Sequence, residues 1–472
     1  MIPSLEKGLT LFVQDLLDDL NRLIGPVYLV GGALRDCVRD GPFLSRDLNI
    51  LVPRPLTECS ELLLENGYES VVVGTRHNSL LLPLKRQDHP NTVEISTFRH
   101  RPGQKPTITE DLRHRDITAN AMAYKWPDGP LYDPFDGQAD LAARRVRFVD
   151  GSDTLEGDPP RGMRFFRFLF ELDGYPDDAD VQHAEQVKLP ASYGKRFRGE
   201  MDRIFDLPLQ SIRQRGLFLR MFESQSVKSM LPELEALRIV QEESDNSADA
   251  RQSCLDMLLQ LDDRYLEDRI PLFDLRWASL LHELGKAVCT VERDASGALD
   301  YPGYEEETIR LMGNVFKRLS FSNRRSRRIE SLVRNLWLFN LNPTERSMKR
   351  LLENNVPMEG VFQLVWSKCR VHANLKSVDR REIDENFFQI LRRCKVLRKE
   401  LSRISSHELA LSGGDMLDLV RLPPGPWLSQ LQEWLVDWVM VDLHRNQRKP
   451  LEDQVTAWML SQNDLFSTQK YK

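Results

Sequence analysis

The sequence predicts an α+β protein, a small mixed β-sheet head followed by an all-helical body. Residues 26–100 alternate short strand-like runs with turn signals, and a single amphipathic segment interrupts them. From about residue 140 onward strand signals nearly vanish, and long Leu/Arg/Glu-rich stretches at helical spacing take over. Close strands with one intervening helix make a compact mixed sheet, and the later residues have no strand to pair with it.

In order, MIPSLEKGLTLFVQDLLDDL carries acids inside its apolar stretch and no small-residue cleavage site, so it reads as an amphipathic helix and not a secretory signal. VYLVGG, LNILV, ESVVV, NSLLLPL and TVEISTF are the strands. LTECSELLLENG, between the second and third, is a short helix ended by Gly67. Asp111–Met122, DLRHRDITANAM, reads as a loop entering a helix with Asp116 as its N-cap. Arg161, Arg164 and Arg167 recur every three residues and line one helical face. The expected domains are a head over 1–140, a helical neck over 141–250, a helical body over 251–400 and a helical tail over 401–472.

At 472 residues the chain is long enough for two to four domains. Charged residues make up 29% and hydrophobic ones 41%, and no run approaches the roughly 18–20 apolar residues of a membrane span. Six scattered cysteines without a CxxC pair argue against structural zinc and a disulfide framework and fit a reducing cytoplasm. The net charge of −6 excludes a chain that coats nucleic acid by bulk charge. Basic residues nevertheless cluster at Arg144, Arg145 and Arg147, at Arg324, Arg325, Arg327 and Arg328, and at Arg392, Arg393, Lys395, Arg398 and Lys399. Such clusters either solvate helix faces or track phosphates.

The chemistry concentrates in Tyr28–Val52, YLVGGALRDCVRDGPFLSRDLNILV. Gly31 and Gly32 let backbone amides approach a phosphate closely. Arg35 can fork onto phosphate oxygens, and Asp47 enters an apolar strand where a metal would justify a buried charge. Asp47 and Asn49, at i and i+2 on a strand, share one face; Asn49 offers only a neutral carbonyl to Mg²⁺. Glu94, in TVEISTF, supplies a carboxylate from another strand.

The layout G-G-x-x-R-D followed by a D-x-D-like strand resembles the class II, bacterial-type tRNA nucleotidyltransferases and poly(A) polymerases. DLRHRDITANAM is similar to that family's R-R-D-F-T-I-N-A signature, with His114 at the first Arg. DPFDGQADL (133–141) resembles its D-P-x-x-G-x-x-D-L link, and GDPPRGMRFFRF (157–168) its E-D-x-x-R-x-x-R-x-x-R-F neck helix, with Gly157 for the Glu. RWASLLHELGKAV (276–288) resembles the H-D-x-G-K motif of HD phosphohydrolases, but carries His282-Glu283, with Glu305 where a further His would stand. A degenerate HD-type domain without a hydrolytic metal site is therefore expected, and 411–459 resembles the tail of HD-bearing members.

The resemblance implies template-independent addition of CMP and AMP, from CTP and ATP, to a tRNA 3′ end, with pyrophosphate released. Asp47 and Asn49, with Glu94, would hold Mg²⁺. Gly31, Gly32 and Arg35 would grip the triphosphate, Arg115 would act at the sugar-phosphate, and Arg164 and Arg167 at phosphates. Asp158 and Arg161 would read the base: a carboxylate accepts from an exocyclic amine, and a guanidinium donates to ring nitrogen or carbonyl oxygen. Two alternatives stay open, an A-adding enzyme or poly(A) polymerase, and an RNA-binding relative whose catalysis Asn49 has impaired. The oligomeric state is not legible.

Overall fold

The computed structural model describes residues 9–39, 47–73, 79–84, 92–99, 105–208, 212–240, 249–266, 270–293, 299–354, 356–376, 379–400, 406–441 and 443–461. They form two compact units, one of residues 1–342 and 359–387, the other of residues 343–358 and 388–472.

The first unit opens with helix α1 (Leu11–Ile24), which Thr10 caps by accepting from the Val13 amide. Val13, Leu16, Leu17, Leu20 and Ile24 recur at helical spacing and are all buried. Next comes a seven-stranded sheet of β1 (Tyr28–Val30), β2 (Asp47–Val52), β3 (Val71–Val73), β4 (Ser79–Pro83), β5 (Thr92–Thr97), β6 (Ala123–Lys125) and β7 (Leu131–Tyr132). Its spatial order is β3-β4-β5-β2-β1-β6-β7, and only the β2–β5 pair is parallel. All five expected strands are present. Gly31 and Gly32, read at the end of the VYLVGG strand, instead start a helix, α2 (Gly31–Val38), and α3 (Leu56–Glu65) precedes Gly67 as expected.

The residues after Asp116 depart from expectation. Asp116 Oδ1 accepts from the Ile117 amide, but the chain makes one 3-10 turn (Thr118–Asn120) and then enters β6. A three-residue strand leaves almost no period-two signal, so its partner decides it: Tyr28–Val30 pairs with Lys125–Ala123.

The strand pleat sets up the site. Leu48, Ile50, Val52, Val93 and Ile95 are at most 1% exposed and belong to the core that α1 and α3 also fill. Asn49 and Glu94 alternate with them and are half-buried, so they belong to the opposite face. Each fully buried aliphatic side chain of this kind contributes about 1.5–3 kcal/mol.

Most of the remaining first unit is helical. Two of the basic clusters read from the sequence are largely internal braces. Arg145 and Arg147 donate to the buried Asp140, which also accepts from Thr118 Oγ1 at 2.6 Å. Arg325 grips Asp202 and the fully buried Asp274, and Arg328 pairs with Asp274 as well. A buried carboxylate needs such partners, so these arginines are spent on the fold. Arg324 and Arg327 remain exposed.

In the second unit, helices Gly413–Val420, Pro426–Val441 and Arg448–Ser461 enclose Leu411, Met416, Leu431, Leu435, Leu451 and Val455. The helical tail expected there contains these three helices. Ser412 and Asp415 form a capping box at its first helix. Among the described residues the cysteines form no disulfide, and no helix is long and apolar enough to cross a membrane.

Candidate active site

Segments far apart in sequence meet at one cleft of about 900 Å³ in the first unit. Gly31, Gly32 and Arg35 reach it from α2, Asn49 from β2, Glu94 from β5 and Arg115 from the loop after helix α4 (Ile108–Arg113). Arg161, Arg164 and Arg167 reach it from helix Arg161–Glu171, with Phe168, Glu171 and Arg203 beside them.

Gly31 opens α2 with φ +72°, a conformation glycine adopts without strain. A Cβ there would stand 3.7 Å from Asn49 Nδ2 and 3.8 Å from Arg115 Nη1, so the backbone, the amide and the guanidinium adjoin one another in the cleft. Asn49 and Glu94 are register partners on the parallel β2–β5 pair. Among the described residues neither side chain has a hydrogen-bond or ion-pair partner. Asp47 begins β2 and pairs with Thr92 through the backbone; its side chain lies outside the described residues. A half-buried carboxylate beside a neutral amide oxygen, both unpartnered, fits a hard, oxygen-seeking divalent cation. The set carries less negative charge than two carboxylates would.

A polar relay ties the two halves of the cleft together. Arg35 Nη1 donates to Asn120 Oδ1 at 3.0 Å, Asn120 Nδ2 donates to Asp116 Oδ1 at 3.1 Å, and Asp116 Oδ2 lies 2.7 Å from Arg164 Nη2. Burial opposes ionisation of Asp116, yet Arg164 and the Asn120 amide outweigh it and hold the carboxyl well below the usual carboxylate range. Asn120 thus bridges the side chains of Arg35 and Asp116.

The three neck arginines share the cleft but not their partners. Arg161 donates to the carbonyls of His114 (2.6 Å) and Thr154 (3.2 Å). Arg167 is buried and held by Glu200 and Glu171, which neutralise it. The Nε groups of Arg161 and Arg164 are buried without a hydrogen-bond partner among the described residues, donors suited to an anion. Asp158 sits apart from the cleft lining: both its oxygens accept from Arg196 Nη1 and Nη2, at 2.6 and 2.8 Å, with Arg161 Nε 3.6 Å away.

Sequence reasoning missed three features. Phe168 is ringed by the guanidiniums of Arg167 (4.2 Å), Arg35 (5.7 Å) and Arg164 (5.8 Å), whose mutual repulsion its ring face offsets. Arg99 lines the cleft, and Asp111 lies behind it. The only available signal for Asp111 was an acid four residues before Arg115, one helical turn away.

The His282 region is a separate, buried cluster. Cys254, His282 and Glu283 bring donor atoms within 4.8 Å of one another, a convergence that the sequence spacing hid. Lys286 Nζ (2.9 Å) and Lys368 Nζ (3.5 Å) already face Glu283 Oε1. Burial pushes His282 down to about 4, and its Nδ1 lies 2.8 Å from the Ser279 carbonyl. Two ammonium groups meet the charge that a metal ion would otherwise meet.

The sequence profile of the Poly A polymerase head domain matches residues 27–147. A "Multifunctional CCA protein" of Burkholderia vietnamiensis is 29% identical over 310 residues, covering 63% of this chain and 71% of its own. Its counterpart in Chromobacterium violaceum is 29% identical over 318 residues, covering 63% and 70%. In fold, the chain is similar to the Bacillus stearothermophilus CCA-adding enzyme solved with CTP (TM-score 0.55, 19% identity, 98% of this chain and 100% of that one). It is also similar to the Thermotoga maritima CCA-adding enzyme solved with tRNA (TM-score 0.52, 20% identity, 97% and 98%).

Proposed function

Since the chain belongs to the class II tRNA nucleotidyltransferase family, we propose that it adds CMP and AMP, from CTP and ATP, to the 3′ end of tRNA and releases pyrophosphate. The observation that carries this reading is the single cleft in which glycine backbone, arginines and an acidic strand pair converge. Relatives named for CCA, and similar folds solved with CTP, ATP and tRNA, support the substrates.

Nucleotidyl transfer needs little covalent help from protein; it needs positioning and a place for negative charge. Gly31 and Gly32 bring main-chain amides at the start of α2 toward the triphosphate, and Arg35 and Arg164 add guanidinium donors. Arg115 would act at the sugar-phosphate. Asp158 and Arg161 select the base. In the geometry described they are engaged by Arg196 and by two carbonyls, so reading a base exchanges those contacts for contacts to its edge. Asp47, Asn49 and Glu94 would hold Mg²⁺, which would neutralise charge gathering on the attacking and leaving oxygens. An RNA 3′-hydroxyl then attacks the α-phosphate in line.

Asn49 favours one second reading, an RNA-binding relative with impaired transfer, because a neutral amide holds a cation less strongly than a carboxylate. Incubating purified protein with tRNA lacking its 3′ end, Mg²⁺ or Mn²⁺, and each labelled nucleoside triphosphate in turn separates the two. Incorporation from CTP and ATP but not UTP or GTP is the expected result. RNA binding without incorporation of any nucleotide under either metal overturns transfer, and a long A-only product points to a poly(A) or A-adding enzyme.

A further inference from the structure

Asp111 is fully buried, yet both of its oxygens are committed to groups that face the cleft. Oδ1 accepts from the Arg99 backbone amide and from Arg99 Nε, each at 3.0 Å. Oδ2 accepts from Arg115 Nε at 3.3 Å and Nη2 at 3.1 Å. Arg115 thereby spends two of its nitrogens on Asp111 and turns the third, Nη1, toward Gly31 and Asn49. The Arg99 amide lies just beyond the end of β5, the strand that carries Glu94. One carboxylate therefore braces two cleft guanidiniums and the end of the acidic strand.

We propose that Asp111 is a positioning residue for nucleotide binding, acting through Arg115 and Arg99, and this rests on the nucleotidyltransferase reading of the cleft. It does not touch the nucleotide. A free arginine loses rotamer entropy when it grips an anion, and a two-pronged brace removes that cost before the anion arrives. Asp111 sits in helix α4, which Thr107 caps by accepting from the Glu110 amide at 3.2 Å, and Arg115 follows four residues later, just past its end.

The variants are Asp111→Asn, Arg115→Ala, Arg115→Lys and the Asp111→Asn/Arg115→Ala pair, each checked for an unchanged far-ultraviolet spectrum and thermal midpoint. The readouts are KM for CTP and ATP, kcat, and labelled ATP binding by equilibrium dialysis. We expect Asp111→Asn to raise KM about tenfold with kcat and tRNA affinity within threefold. Arg115→Lys, which keeps the charge but not the fork, should do the same. The double variant should be worse than Arg115→Ala by less than the full Asp111→Asn factor, the remainder being the part that Asp111 carries through Arg99. An unchanged KM in Asp111→Asn or Arg115→Lys overturns the proposal, as does a double effect equal to the product of the single ones. If wild-type protein transfers no nucleotide, the functional reading fails instead, and ATP dialysis still decides the role of Asp111.

Discussion

Replacing Asn49 with Asp places a second carboxylate directly beside Glu94, its register partner on the adjacent parallel strand. Neighbouring strands run about 4.8 Å apart, so the two charges would sit roughly 5 Å from each other. Their repulsion is about 0.8 kcal/mol at bulk-water dielectric and about 3 kcal/mol at an effective dielectric near 20. The cleft is open to solvent and Arg115 stands nearby, which puts the cost between those limits. Asn49→Asp should therefore be destabilised by roughly 1–3 kcal/mol in EDTA and recover when Mg²⁺ or Mn²⁺ is added. Wild-type protein, with one uncharged partner, should respond less to the same titration. Thermal melts across a metal series measure the difference, and transfer of labelled CMP to truncated tRNA reports whether catalysis rises with it. Equal melting in EDTA, together with an unchanged metal response, would refute a cation shared between positions 49 and 94.

The same geometry sets three further expectations. Asp158→Ala should relax the choice of CTP and ATP over UTP and GTP by about 1–3 kcal/mol, whereas Arg164→Ala should weaken triphosphate affinity more than base choice; competition between labelled nucleotides separates them. His282 is fully buried with its folded value near 4, below the ordinary value of 6.5, so the unfolded chain binds a proton between those values that the folded chain cannot. Stability from keeping this ring neutral is complete above about pH 6.5 and falls by roughly 3 kcal/mol toward pH 4; His282→Gln should flatten that part of the melting-versus-pH curve, and an identical curve would sink the assignment. Gly285→Ala would set a Cβ 2.0 Å from the Tyr304 carbonyl oxygen, a backbone clash that should lower the melting midpoint without altering nucleotide affinity.

By itself the sequence determined five of the seven head strands, the helical body and many of the residues that line the cleft, but not Arg99 or Phe168. Apolar alternation is a local property of LNILV and TVEISTF, and the glycine and arginine spacings in GGALRD and RGMRFFRF persist wherever the elements lie. The tertiary structure alone decided what each charge does. Arg161, Arg164 and Arg167 look equivalent in sequence, yet one is held by main-chain carbonyls, one by Asp116 and one by two glutamates. Arg145, Arg147, Arg325 and Arg328 read as solvated helix faces or a phosphate-tracking surface, and are spent on buried aspartates. Asp111 read as part of a loop until folding set it in a helix with Arg99 over it. Hydrophobic periodicity is written along the chain, whereas a charge acquires its role from the partner that folding brings to it, and that partner stands up to 123 residues away, as for Arg325 and Asp202.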